Sequence, residues 1–332
     1  MIIRKKTTPN FSLDTGVTTA LKFACSIIIV LHHYSQHIVS EFGNANVITT
    51  GLSSQGGYLA VSFFFFLSGY GLTVSLNKKQ MTYVEYFKKR LSRVYMPAIL
   101  VTIIWIMALN ILHCETIEIS HKNINIPPIF LGFLKSILLS FYDPVLWFVK
   151  IIILFYGLLF LYKKIKISNK LFEIIILLIS ILFCTIFVGY TIGAFASVST
   201  PSFFIGVYTA DNPNMSKKRY IQYVVIVLTM VLLSLLLVGD IVLSVHGLIS
   251  IFMLLLMVCI FSYYNISIST PKVYGDISYD VYLVHNKVKI LLIHYINDIP
   301  LSIFILFTTI CAISFLWLRN KVMIGIKKQA KL

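Results

Sequence analysis

The chain is short of charge: 12% of its 332 residues are Asp, Glu, Lys or Arg, against about a quarter in an ordinary soluble domain. Half the usual charge cannot coat a water-soluble globule of this size, which excludes a cytosolic or secreted enzyme. Acidic residues are the scarcest, 12 against 28 Lys+Arg. The five cysteines (Cys25, Cys114, Cys184, Cys259, Cys311) form no CxxC pair, and four of them lie inside apolar runs. That pattern speaks for buried thiols rather than a disulfide framework or a zinc site, and no metal is expected. Internal repeats, Gly/Ser linkers and low-complexity tracts are also missing, so 1–332 is read as a single membrane domain.

What the chain has instead is apolar length: 58% hydrophobic residues and a mean hydropathy of +0.89. A membrane-crossing helix needs roughly 20 apolar residues. The runs predict an all-α, polytopic transmembrane bundle with ten spans: 17–38, 57–76, 92–112, 146–162, 171–189, 192–209, 220–238, 241–263, 277–296 and 301–319. Gly193, Pro201 and Gly206 interrupt the sixth of these. The stretch 128–141 is apolar but short and follows Pro127-Pro128, which reads as an interfacial or re-entrant piece inside the long loop 113–145. That loop, as the longest connection, is the expected carrier of specificity.

A net charge of +16 would suggest nucleic acid in a soluble protein. Here the basic residues lie between apolar segments, where they report orientation, and no nucleic acid is expected. With the N-terminus inside, and with Arg93 and Arg319 counted with the loop and tail they border, 22 Lys+Arg fall on the N-tail (1–16), the alternate loops and the basic C-tail (320–332), and only Lys122 and Lys135 on the opposite loops. The asymmetry predicts a cytoplasmic N-tail, a ten-helix core over 17–319 and a cytoplasmic C-tail. No small-residue cleavage site follows the first span, so that span is expected to be retained.

Ionisable residues inside a span are costly and mark function by default. The first span carries Lys22, His32, His33 and His37. His33 lies about 16 Å along the axis from Lys22, past the midplane, and His37 shares its face. Adjacent helical residues diverge by about 100°, so His32 and His33 cannot aim equally well into one cavity. An imidazole titrates near neutrality and suits a general base; its plainer use is an interhelical hydrogen bond. His37 is expected to be solvated, and His246 to be a packing hydrogen bonder in an apolar helix. At the inner edge of the third span, Arg90 and Arg93 are three apart on one expected face. Paired guanidiniums there grip phosphates, or else serve as ordinary inside charge.

Taken together these residues resemble the acyltransferase 3 family of bacterial integral-membrane acyltransferases. Lys22 and His33 have the spacing of the family's first-helix Arg and His, with Lys in place of Arg. Gly57–Tyr70 is similar to its G-V-x-FF-x-LSG segment. Its RxxR motif falls on Arg90-Leu91-Ser92-Arg93 with Pro97 following, its LWF element on Leu146-Trp147-Phe148, and its SY-x-x-YL-x-H helix on Ser278–His285. The resemblance implies a bacterial cytoplasmic-membrane enzyme that O-acylates sugars of capsule, O-antigen or another surface glycan, or a lipid-linked precursor. It implies acetyl-CoA as acyl donor. On that footing His33, with His32 beside it, is the expected base; Arg90, Arg93 and Lys22 hold the donor's phosphates. Ser62, Ser68 and Tyr70 are candidate oxyanion donors, and Trp147, Asp280 and His285 further site residues, the last two as a second polar cluster. Its expected partners are acyl-CoA, a glycan or lipid-linked oligosaccharide, and membrane lipids. Two rival classes stay open: a transporter or flippase of lipid-linked sugars, and a non-catalytic membrane component of polysaccharide synthesis.

Overall fold

The computed structural model describes residues 2–43, 46–79, 81–114, 116–119, 122–138, 146–164, 192–214, 241–269, 272–296 and 298–329, together with 179, 183 and 186–188. These residues are overwhelmingly helical. Six helices among them are long and apolar enough to cross a membrane: Thr15–Phe42, Val47–Lys78, Tyr83–Ile111, Leu146–Lys164, Ile241–Tyr263 and Leu301–Gly325. The chain is a multi-pass membrane protein.

Those six overlap the expected spans 17–38, 57–76, 92–112, 146–162, 241–263 and 301–319. The second and third start earlier than expected, so the loop assigned to 77–91 shrinks and Arg90 lies within a helix. Span 277–296 is also a helix, Lys272–Tyr295, but Asp280, Lys287 and Lys289 set it apart from the six. The interrupted stretch 192–209 breaks into Ala194–Ser197 and Pro201–Asp211. The longer piece has 11 residues, about 16 Å of helix, too short to cross by itself. Span 220–238, and all but five residues of 171–189, lie outside the described residues.

The chain divides into two compact units, one of residues 1–81 and 159–275, the other of 82–158 and 276–332. The first unit opens with β1 (Ile2–Lys5) and α1 (Thr15–Phe42). The carboxylate of Asp14 caps α1 by accepting from Gly16 N–H at 3.0 Å and from the Ser267 hydroxyl at 2.8 Å. These bonds, the backbone one foremost, hold the Asp14 carboxyl below its ordinary pKa. Gly43 ends α1 in the left-handed region, φ 61°, where a side chain is disfavoured. A short helix, α2 (Val47–Gly51), runs through a π-helical turn, Leu52–Gly56, into α3 (Gly57–Lys78).

The N-tail is not loose. β1 pairs antiparallel with β4 (Tyr264–Ser267), which follows the helix Ile241–Tyr263. Lys6 Nζ donates to the Phe261 carbonyl at 2.9 Å, satisfying one of that helix's terminal acceptors. Phe11 N–H donates to Pro213 O at 2.8 Å. Asp211 accepts from Asn77 at 2.9 Å and is ion-paired with Lys163. Thus the N-tail, Asn77, Lys163, Asp211–Asn214 and β4 gather at one end of this unit, and all five belong to pieces that the charge count places on one side.

In the second unit the capping box of Thr82 and Glu85 starts α4 (Tyr83–Arg90), which passes through a second π turn, Leu91–Tyr95, into α5 (Met96–Ile111). Pro97 explains the turn's position. It has no N–H to give an α-helical bond to Arg93 O, and its ring crowds that carbonyl. After the β2–β3 hairpin (Thr116–Ile119, Lys122–Asn125), α6 (Ile129–Ile137) runs back along α5. Asn110 Nδ2 donates to Pro127 O at one end of this contact, and the Tyr95 hydroxyl to Ile137 O at the other. Gly132 lets the two helices close up, since a Cβ there would meet the Ile106 side chain. The expected short piece is therefore a helix folded back along α5. Next come α7 (Leu146–Lys164) and, in the first unit, α8 (Ala194–Ser197), α9 (Pro201–Asp211) and α10 (Ile241–Tyr263). The last two are α11 (Lys272–Tyr295) and α12 (Leu301–Gln329). The latter carries the expected C-tail as helix through Gln329.

Candidate functional site

Three histidines of α1 occupy its end away from β1. His32 is buried, and its Nδ1 lies 2.8 Å from the Leu52 carbonyl in the first π turn. A carbonyl only accepts, so Nδ1 carries the proton and the ring's lone pair is on Nε2. Gly56 and Gly57 make room for this ring: a Cβ on Gly57 would lie 2.6 Å from His32 Nε2. His33 is half-buried, 4.9 Å from the His32 ring centroid to centroid, and its Nδ1 lies 3.0 Å from Gln36 Oε1. Both rings therefore sit side by side, each with Nδ1 against an oxygen. His37 departs from expectation. It is 6% exposed and meets the Phe42 ring edge-on, because the face it shares with His33 turns inward.

Lys22 is half-buried on the same helix, 11 residues before His33. The oxyanion candidates of α3 spread away from the histidines. Ser62 is fully buried, about 8 Å of helix rise from Gly57, and its hydroxyl has no hydrogen-bond partner among the described residues. Ser68 and Tyr70 are roughly 16 and 20 Å along. The Tyr70 hydroxyl accepts from Leu13 N–H at 3.4 Å, and its ring packs edge-on against Phe11. Tyr70 belongs to the end that holds the N-tail.

In the second unit the RxxR pair straddles the entry to the second π turn. Arg90 is half-buried, its guanidinium 5.7 Å from the Tyr86 ring centroid, while Arg93 is exposed. No carboxylate pairs with either guanidinium among the described residues. The Tyr279 hydroxyl of α11 donates to Val94 O at 2.8 Å, pinning the turn. Trp147 is half-buried, edge-on to Phe148.

Asp280 and His285 do not bond to each other. Asp280, fully buried, is ion-paired with Arg319 of α12 at 3.0 Å. His285, also fully buried, turns Nδ1 onto its own helix, 2.7 Å from Tyr282 O. Sequence reading counted Arg319 among the tail charges. The missed signal was Asp280 itself, since an acid inside a span demands a cation at matching depth. Missed as well was the company of His246, which joins Gln55, Tyr58 and Ser250.

These features define a helical, multi-pass membrane protein with paired histidines on one helix and paired arginines on another. The chain belongs to the acyltransferase 3 family, whose acyltransferase domain matches residues 18–319. It is therefore a membrane acyltransferase. No curated protein and no solved structure matches the chain.

Proposed function

We propose that the protein is an O-acetyltransferase of a bacterial cytoplasmic membrane. It carries the acetyl group of acetyl-CoA to a sugar hydroxyl of a capsular, O-antigen or other surface polysaccharide, or of its lipid-linked precursor. The observation that carries the reading is the histidine pair, each ring with Nδ1 against an oxygen and its basic nitrogen at Nε2.

In this reading His33, the less buried of the two, is the base, and His32 packs beside it. The hydroxyl proton passes to His33 Nε2 as the oxygen attacks the thioester carbonyl carbon. The C–S bond then breaks and the imidazolium returns the proton to the departing thiolate, leaving the acetyl ester and free CoA. Arg90 and Arg93 hold the donor's phosphates, with Lys22 adding charge. Support for this role is that neither arginine is engaged by a carboxylate among the described residues, so their donors suit an anionic ligand.

The test is transfer of labelled acetyl from acetyl-CoA to isolated glycan by purified protein, alongside NMR of the glycan made in cells. His33→Ala is expected to lower transfer by about 10²–10⁴-fold while leaving the protein inserted and abundant. Normal acetylation by that variant would remove His33 from the reaction.

A further inference from the structure

The end of the first unit that holds the histidines of α1 holds a further imidazole on another helix. His246 of α10 is half-buried, and its Nδ1 lies 2.6 Å from Gln55 Oε1 in the first π turn. The amide of Gln55 is oriented by its other end: Nε2 donates to His246 O at 3.1 Å and to Ser250 Oγ at 2.9 Å. With its nitrogen spent on two acceptors, Gln55 faces His246 with oxygen alone. His246 Nδ1 must then donate, and its lone pair is on Nε2. The Tyr58 ring stacks on the imidazole, centroids 5.2 Å apart and planes within 7°. A simple packing hydrogen bond would not need its tautomer fixed by an amide itself held at two points.

The surroundings are those of a binding region. The break between α8 and α9 lies alongside: Ser199 Oγ approaches Tyr58 O at 3.5 Å, and Val198 packs against Gly247. Helix breaks at membrane depth are tolerated where backbone is buried in protein or lines a cavity. The π turn is another local departure from regular helix that recurs at functional sites.

We infer that His246, oriented by Gln55 and backed by Tyr58, is a binding residue for the sugar acceptor, accepting a hydrogen bond from one of its hydroxyls at Nε2. The cluster sets hydrogen-bonding atoms beside an aromatic wall, which matches a sugar rather than a polyphosphate. The inference rests on the proposed acetyl transfer and adds a residue outside the base and the arginines.

The experiment measures KM for both substrates with purified protein in nanodiscs. The probes are labelled acetyl-CoA and unacetylated lipid-linked oligosaccharide extracted from cells lacking this protein. His246→Ala is expected to raise the acceptor KM at least tenfold and to leave the acetyl-CoA KM within twofold. Gln55→Leu, which keeps the imidazole but frees its orientation, is expected to raise the acceptor KM about threefold. An acceptor KM unchanged in both variants overturns the inference, as does a parallel rise in the acetyl-CoA KM. A wild-type protein that transfers no acetyl overturns the proposed function instead.

Discussion

The two π turns sit in similar places in their helices and serve opposite chemistries. The first, Leu52–Gly56, offers its carbonyl and amide acceptors to rings on other helices, fixing His32 from Leu52 O and His246 from Gln55. The second, Leu91–Tyr95, is itself held from outside, by Tyr279 on Val94 O and through Tyr95 on Ile137 O. It presents a cation to solvent in Arg93. One turn positions imidazoles; the other supports charge. The difference follows from what flanks them: glycines Gly56 and Gly57 in the first, which let an imidazole come close, and Pro97 in the second, which forces the turn without making room.

Breaking the support of the second turn has the largest expected effect. Arg319→Met strands the buried Asp280 carboxylate one residue from Tyr279. Removing one partner of a buried pair destabilises by about 3–5 kcal/mol. A thermal unfolding scan of the detergent-solubilised protein should show a large drop. An unchanged midpoint would mean the ion pair does not hold α11 and α12.

Removing the charge that the second turn carries comes next. Arg90→Ala with Arg93→Ala is expected to raise the acetyl-CoA KM by roughly 10–100-fold, the scale of losing one or two charge-assisted hydrogen bonds. The acceptor KM should stay put. A change confined to the acceptor would assign these arginines elsewhere.

The smallest effect probes the first turn. Gly57→Ala places a methyl against His32 Nε2, so the ring must tilt off Leu52 O. Loss of one hydrogen bond, roughly 1 kcal/mol, corresponds to a fall of about fivefold in kcat. Both KM values should hold, in contrast to the arginine variant. Equal kcat would show that the seating of His32 does not matter to turnover.

Much of this was legible in the chain. Apolar length gave ten expected spans, six of which overlap helices long and apolar enough to cross a membrane, and residue spacing singled out His33, Arg90 and Arg93. The Pro127-Pro128 start and short apolar run of 128–141 anticipated a short helix, which is α6. The π turns were not legible, because Leu52–Gly56 and Leu91–Tyr95 lie at or before the edges of the apolar runs, and a residue inserted there leaves no mark in hydropathy. His246 looked solitary because its partner Gln55 lies 191 residues earlier, beyond any local pattern. The N-tail, read from its charge only as cytoplasmic, carries a short Ile2–Ile3 pair whose pairing strand appears only after the last residues of α10.

That strand has a consequence for synthesis. Lys6 meets Phe261, 255 residues downstream. At 5–20 residues per second, the ribosome takes roughly 13–50 s to supply the other half of this contact. The opening residues therefore wait on their side of the membrane while most of the bundle is threaded. Only the emergence of β4 lets β1 clasp a late-arriving strand and close this end of the unit.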